Sequence, residues 1–315
     1  MIAIDFTNMM ATAVNNGITE DEWGEAARQF PVVHATIQQL HASKTLGFQD
    51  LPKNTELVQQ VLDFANAARN KYDDIVLLGI GGSALGPIAL RNSLCKSGWN
   101  MLSKEARNGY PRLHVLDNVD PVTIDAVLKF VELPKTLFIV TSKSGGTAET
   151  MSQFLIAYDR VETARLNPSE HFVFITDPEQ GALRPLSQKL RIPALDIPSN
   201  IGGRFSVLSP VGTLPAALLG IDIRVLLNGA GEIARLCETT ELSQNPAGVF
   251  AMLQFLSDTK HGRTINVLMP YSDPLREISD WYVQLWAESL GKHRSDGESV
   301  GGTPIPALGA TDQHS

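Results

Sequence analysis

The chain has 315 residues, 43% hydrophobic and 19% charged, enough for one large or two medium domains with a core that needs no staples. A formal net charge of −8 argues against nucleic acid or an anionic membrane as the main partner, while a few well-placed donors can still make a local anion site. The two cysteines, Cys95 and Cys237, form no CxxC pair and no disulfide framework, and read as reduced thiols of a cytoplasmic protein.

The first residues lack a basic stretch followed by an apolar core, so no secretory signal is expected, and no run of 18 apolar residues is long enough for a membrane span. Residues 1–70 read as helical. Thr19 and Glu22 stand at capping-box spacing, and Leu57, Val58, Val61, Leu62 and Ala65 recur at helical spacing. The pattern then changes to short apolar runs at 74–82, 112–118, 136–146 and 171–177, each of the first three followed by a helix-like stretch. This alternation predicts an α/β fold with a parallel sheet covered on both faces, with binding sites at the carboxyl ends of its strands. From Pro178 to Pro198 the rhythm loosens, and a domain transition is expected near 180–225. Helices are expected over about 210–258, and a strand at 264–270 opens a second α/β unit. With one clear strand in that unit, the chain is expected to be a truncated form.

Two glycine-bearing loops fall where strands hand over to helices. In GIGGSALG, Gly79, Gly81 and Ala84 satisfy a dinucleotide-type spacing, but the acidic residue expected about 20 positions on is missing, which argues against a nicotinamide or flavin. Taken by itself, this loop also reads as a tight strand-to-helix turn with no ligand. The second loop combines Ser142, Ser144 and Thr147 with Lys143, Gly145 and Gly146. Hydroxyls, a cation and backbone N–H groups at a helix start suit a phosphate. The loop is not a nucleotide P-loop, so a phosphomonoester on a small molecule is expected. The competing reading is a serine-rich helix cap, but a cap needs one hydroxyl and no lysine.

Three more places carry candidate chemistry. Arg204 follows two glycines and is either a surface arginine or a fixed cation beside an anion. Trp281, Gln284, Leu285 and Glu288 share one side of a predicted helix. Glu288 there is either a solvated flank residue or a partly desolvated proton-transfer base. His314 lies in a glycine-bearing loop and carries little weight alone. No metal-ligand spacing and no GxSxG elbow is present.

Taken in order, GIGGSALGP, TSKSGGTAET, GGRFSVLSPVG, SDWYVQLWAESLGK and GATDQHS resemble the bacterial glucose-6-phosphate isomerase family. The resemblance spans most of the chain, strongest from 79 to 314 and vague before 70. It implies a sugar-isomerase (SIS)-type parallel sheet with helices on both faces, plus the start of a second α/β domain. On that basis residues 1–70 form an N-terminal helical segment, 71–205 the first domain, and 206–315 a helical connection and an incomplete second domain. It further implies cofactor-free, metal-free interconversion of glucose 6-phosphate and fructose 6-phosphate through a cis-enediol, in glycolysis and gluconeogenesis. Ser142, Lys143, Ser144 and Thr147 would hold the phosphate, with Gly82, Ser83 and Gln284 nearby. Arg204 would stabilise the enediolate, Glu288 would move the proton, and His314 would assist ring opening from the neighbouring subunit of a homodimer. Two departures stand out. The family's closing motif, with a lysine for ring opening, lies beyond Ser315, so poor activity of this chain is expected. Gly146 stands where relatives often carry threonine. Rival readings are a non-catalytic sugar-phosphate-binding protein, expected to lack the Glu288 and His314 motifs, and an aminosugar-phosphate isomerase, expected to lack GGRFSVLSPVG and the WAESLGK helix.

Overall fold

The computed structural model describes residues 4–297 and 299–309. In chain order the elements are α1 (Glu20–Ala42), α2 (Thr55–Ala68), β1 (Asp74–Leu78), α3 (Leu85–Leu94), β2 (Arg112–Leu116) and α4 (Pro121–Phe130). There follow β3 (Thr136–Thr141), α5 (Ala148–Thr163), the single turn α6 (Pro168–His171), β4 (Phe172–Thr176), α7 (Leu183–Leu190) and β5 (Ala194–Asp196). The chain continues with α8 (Pro210–Leu218), α9 (Ile223–Leu236), α10 (Pro246–Thr259), β6 (Ile265–Leu268), α11 (Arg276–Leu290), β7 (Lys292–His293), β8 (Ser299–Val300) and β9 (Thr303–Pro306). Local chemistry accounts for many of the starts. Thr19 and Glu22 form the expected capping box. Asp120, Ser209 and Asn245 each cap a helix with a side-chain oxygen, and each is followed by a proline at the first helical position, whose missing N–H costs nothing there.

Strands β1 to β5 form one parallel sheet in the order β2-β1-β3-β4-β5. Every residue of β1, β3 and β4 is buried, which is why these strands read as continuous apolar runs rather than alternating ones. On one face Ile75, Leu77, Ile139 and Ile175 pack against Leu57 and Val61 of α2, Val211 and Leu214 of α8, and Ile223 of α9. On the other, Val76, Phe138 and Phe174 meet Ile124 of α4, Phe154 of α5 and Leu183 of α7. Phe154 makes edge contacts with both Phe172 and Phe174, and truncating such a ring to alanine costs about 3–5 kcal/mol. A smaller core joins α1 to α10 through Phe30, Val249 and Leu253.

Four strands escape the sequence pattern: β5, β9 and the two-residue pair β7 and β8. β5 is only three residues long and sits between prolines. β9 reads Thr-Pro-Ile-Pro, yet it pairs in parallel with β6 over four residues. Its prolines are tolerated because β9 lies at the edge of a two-stranded ladder. The second unit therefore has a β6–α11–β9 arrangement, with the antiparallel pair β7–β8 between α11 and β9, rather than a single strand.

Candidate active site

In a parallel sheet of this order the connections leave in opposite directions from β1 and β3, and the crevice between their carboxyl ends is the natural ligand position. Both loops singled out by sequence emerge there. The first, Gly81–Ser83, forms a single turn before α3. Gly81 has φ +56°, and a Cβ on it would lie 2.6 Å from Gln284 Nε2. A Cβ on Gly82 would lie 2.6 Å from Gly203 O, so this turn needs glycine to touch both α11 and the Arg204 turn.

The second loop places three hydroxyls in a triangle. Ser142 Oγ is 2.9 Å from Thr147 Oγ1 and 3.5 Å from Ser144 Oγ, and Ser144 Oγ is 3.4 Å from Thr147 Oγ1. Thr147 is the N-cap of α5, yet its side chain makes no capping hydrogen bond. The helix-cap reading of this loop therefore fails. α5 opens with uncapped N–H groups beside three hydroxyl groups, and α3 likewise begins without a side-chain cap. Positive helix ends without side-chain caps at the carboxyl ends of two adjacent strands suit an anion.

Lys143 departs from expectation. Its ammonium donates to Ser199 O at 2.8 Å and Ile201 O at 2.6 Å, away from the hydroxyl triangle.

The other half of the site comes from α11 and the turn Gly203–Phe205. Arg204 Nε donates to Ser289 Oγ at 2.8 Å, and its NH1 lies 3.7 Å from Glu288 Oε2. The guanidinium also lies over the Phe205 ring, which stacks on Phe48. Gln284 Nε2 donates to Glu288 Oε1 at 2.9 Å, the i,i+4 pairing expected on one helix face. Gln284 Oε1 is left buried without a partner among the described residues; as an acceptor it suits a sugar hydroxyl better than a phosphate oxygen.

Desolvation of Glu288 by its apolar neighbours does not occur. The side chain is 51% exposed. A cation and an amide flank the carboxylate in their place. Ser289 is a residue the sequence reading missed; it adjoins Glu288, but neighbours in a helix point about 100° apart, so spacing offered no cue. Close approaches join the Gly81–Ser83 turn to Gln284 and to the Arg204 turn, and Arg204 to Glu288, while Ser142, Ser144 and Thr147 follow the carboxyl end of the adjacent strand β3; His314 lies outside the described residues. Among the described residues no group of three or more His, Cys, Asp or Glu is arranged to hold a metal.

The phosphoglucose isomerase family model matches residues 49–303. A glucose-6-phosphate isomerase from Carboxydothermus hydrogenoformans is 42% identical over all of this chain, which spans 68% of that protein. One from Rubrobacter xylanophilus is 40% identical over all of this chain, which spans 70% of that protein. Among solved structures, a hypothetical protein from Thermus thermophilus superposes with a TM-score of 0.81 at 36% identity, covering 93% of this chain and 68% of that one. A glucose-6-phosphate isomerase from Chlamydia trachomatis gives 0.68 at 28% identity, covering 82% and 48%. With the family match extending over both α/β units, this chain belongs to the phosphoglucose isomerase family.

Proposed function

We propose that the protein interconverts glucose 6-phosphate and fructose 6-phosphate, an aldose–ketose isomerisation of glycolysis and gluconeogenesis. The observation that carries this reading is the Glu288 carboxylate held by Gln284 beside the Arg204 guanidinium, with α11 also touching the glycine turn that follows β1. The loop of Ser142, Ser144 and Thr147, with Gly82 and Ser83 from the neighbouring turn, binds the phosphate. Glu288 removes the C2 proton of the open-chain aldose. The C2–H electron pair forms the C1–C2 double bond, and the carbonyl electrons move onto O1. Arg204 stabilises the resulting enediolate, the role of a fixed charge aimed at a developing oxyanion. The hydroxyl proton passes from O2 to O1, Glu288 returns its proton to C1, and the ketose results with no net loss of atoms or electrons. His314 opens the sugar ring.

The homodimer contributing His314 across its interface, the cytoplasmic location and the division at residues 70 and 205 belong to the same proposal, supported by the sequence motifs. The test is conversion of fructose 6-phosphate in a coupled assay, with inorganic phosphate as competitor. The turnover that this chain supports, low beside that of full-length relatives, should be inhibited competitively by phosphate. Sugar-phosphate binding without any exchange of the C2 hydrogen would favour a non-catalytic binding protein.

A further inference from the structure

Lys143 stands in the middle of the hydroxyl loop, yet its ammonium serves another part of the chain. The two carbonyls it reaches, Ser199 O and Ile201 O, lie on the stretch that leads directly into the Arg204 turn. The root of the lysine is firmly set. Ser142 N–H donates to Ile175 O at 3.1 Å, and Lys143 O accepts from Asp177 N–H at 3.4 Å, at the ends of β3 and β4. The 199–202 stretch has no regular secondary structure, and buried Ile201 is its main apolar anchor. Asp177, which is 4% exposed, lies close enough to feel the ammonium charge. Burial would raise that carboxyl; the backbone N–H groups of Glu179 and Gln180, the Ser199 hydroxyl and the Lys143 charge outweigh it and hold the group below the ordinary carboxylate range. The far side of the Arg204 turn has its own supports in the Phe48–Phe205 stack and Ser289. The near side has Lys143 and, through Asn200 Nδ2 on Lys44 O at 3.2 Å, a second tie to the end of α1.

We propose that Lys143 is a positioning residue: it ties the phosphate loop to the 199–205 segment and so holds Arg204 where the oxyanion develops, rather than gripping the phosphate itself. This rests on the isomerase reading for the role of Arg204, but the tie does not depend on it. Coupling the two loops would make Arg204 placement part of the same rigid body as the phosphate site.

The test separates phosphate from oxyanion. Inorganic phosphate and a five-carbon sugar-phosphate hydroxamate, whose planar anion mimics the enediolate, are titrated into the protein and its Lys143→Met variant by calorimetry. Hydrogen exchange of the 199–205 amides is followed in parallel. The expected result is unchanged phosphate affinity, hydroxamate affinity weaker by on the order of 10- to 100-fold, the scale of a misplaced contact, and faster exchange across 199–205. Lys143→Arg, which keeps donors and charge, should recover part of both the exchange protection and the hydroxamate affinity. Should the Met variant not fold, Lys143→Gln, one bond shorter and uncharged, gives the same comparison. Equal loss for both ligands would make Lys143 a phosphate ligand and overturn the proposal. Unchanged exchange at 199–205 would overturn it as well. Failure of the parent protein to bind either ligand would sink the phosphate-loop reading instead, while the exchange measurement would still decide the tie.

Discussion

The two halves of the site stand on different foundations. The half proposed to hold phosphate grows from β1 and β3, two inner strands of the five-stranded sheet, each buried along its whole length. The acid–base half grows from α11, whose one buried residue is Ser279, beside a two-stranded ladder in which Ile265 is 62% and Val267 47% exposed. α11 is held through its packing on α3, the Tyr282 hydroxyl on Asn266 at 2.8 Å, the Trp286 indole N–H on Gly301 O, and the Arg204–Ser289 bond. Binding needs fixed donors, which a buried sheet supplies. Proton transfer needs a carboxylate that shifts between two adjacent carbons, and a sparsely buried helix leaves it that freedom.

If the halves are separable in this way, changes on one side should leave the other intact. The largest effect is expected for Glu288→Gln, which keeps the side chain's size but cannot accept a proton. Turnover and solvent exchange of the C2 hydrogen, followed by NMR, should fall by roughly 10²–10⁴-fold while phosphate affinity holds. A parallel loss of phosphate affinity would break the division between the halves.

On the sheet side, Asp74 is 1% exposed at the opposite end of β1 and binds Arg112 through two hydrogen bonds of 2.7 Å and His114 Nε2 at 2.9 Å. Burial would raise its pKa, but the hydrogen bonds and charges of His114 and Arg112 prevail and hold it below the ordinary value. The stabilisation is complete above the unfolded carboxyl's pKa of about 3.9 and disappears as pH falls through the lower folded value. Asp74→Asn should therefore cost about 3 kcal/mol at neutral pH in urea unfolding, less as acid is added, with catalysis by the remaining folded protein unchanged. A variant as acid-sensitive as the parent would show that other carboxylates govern the sheet's stability.

A smaller change is expected at the phosphate loop. Replacing Ser142 or Thr147 by alanine removes one corner of the hydroxyl triangle and should weaken inorganic phosphate binding by about 1.5 kcal/mol, roughly tenfold. Calorimetry would show this, and unchanged affinity would move the phosphate elsewhere in the crevice. The smallest effect concerns Gly146, where an added Cβ would meet only Ser144 O, at 3.9 Å, and φ is not positive. Gly146→Ala should stabilise the protein by about 0.4–1 kcal/mol through the unfolded chain, and a lower melting temperature would reveal strain in the loop.

β1, β3 and β4 are legible as apolar runs because both of their faces are buried, β2 through its buried Leu113 and Leu116, and the helices between them as 3.6-residue periodicities. β5 and β9 are not, because three residues, or a strand with two prolines, carry no period long enough to recognise. The hydroxyl loop is legible because its residue types have few uses together at a helix start. The direction of the Lys143 side chain is not, since a long flexible chain can satisfy its charge on either side of its own backbone.

Residue order is enough to set the alternation of strands and helices and the chemistry available at each strand end, because burial and local hydrogen bonding leave their marks on neighbouring residues. Only the assembled fold puts β1 between β2 and β3, and with that choice determines which two loops share a crevice. It also sets Arg204 beside a carboxylate 84 positions further along the chain (288 − 204), aims Lys143 at Ile201, and leaves Glu288 in contact with solvent. Those outcomes depend on which strands pair and which helices dock, and pairing energies between distant segments have no local period from which to be read.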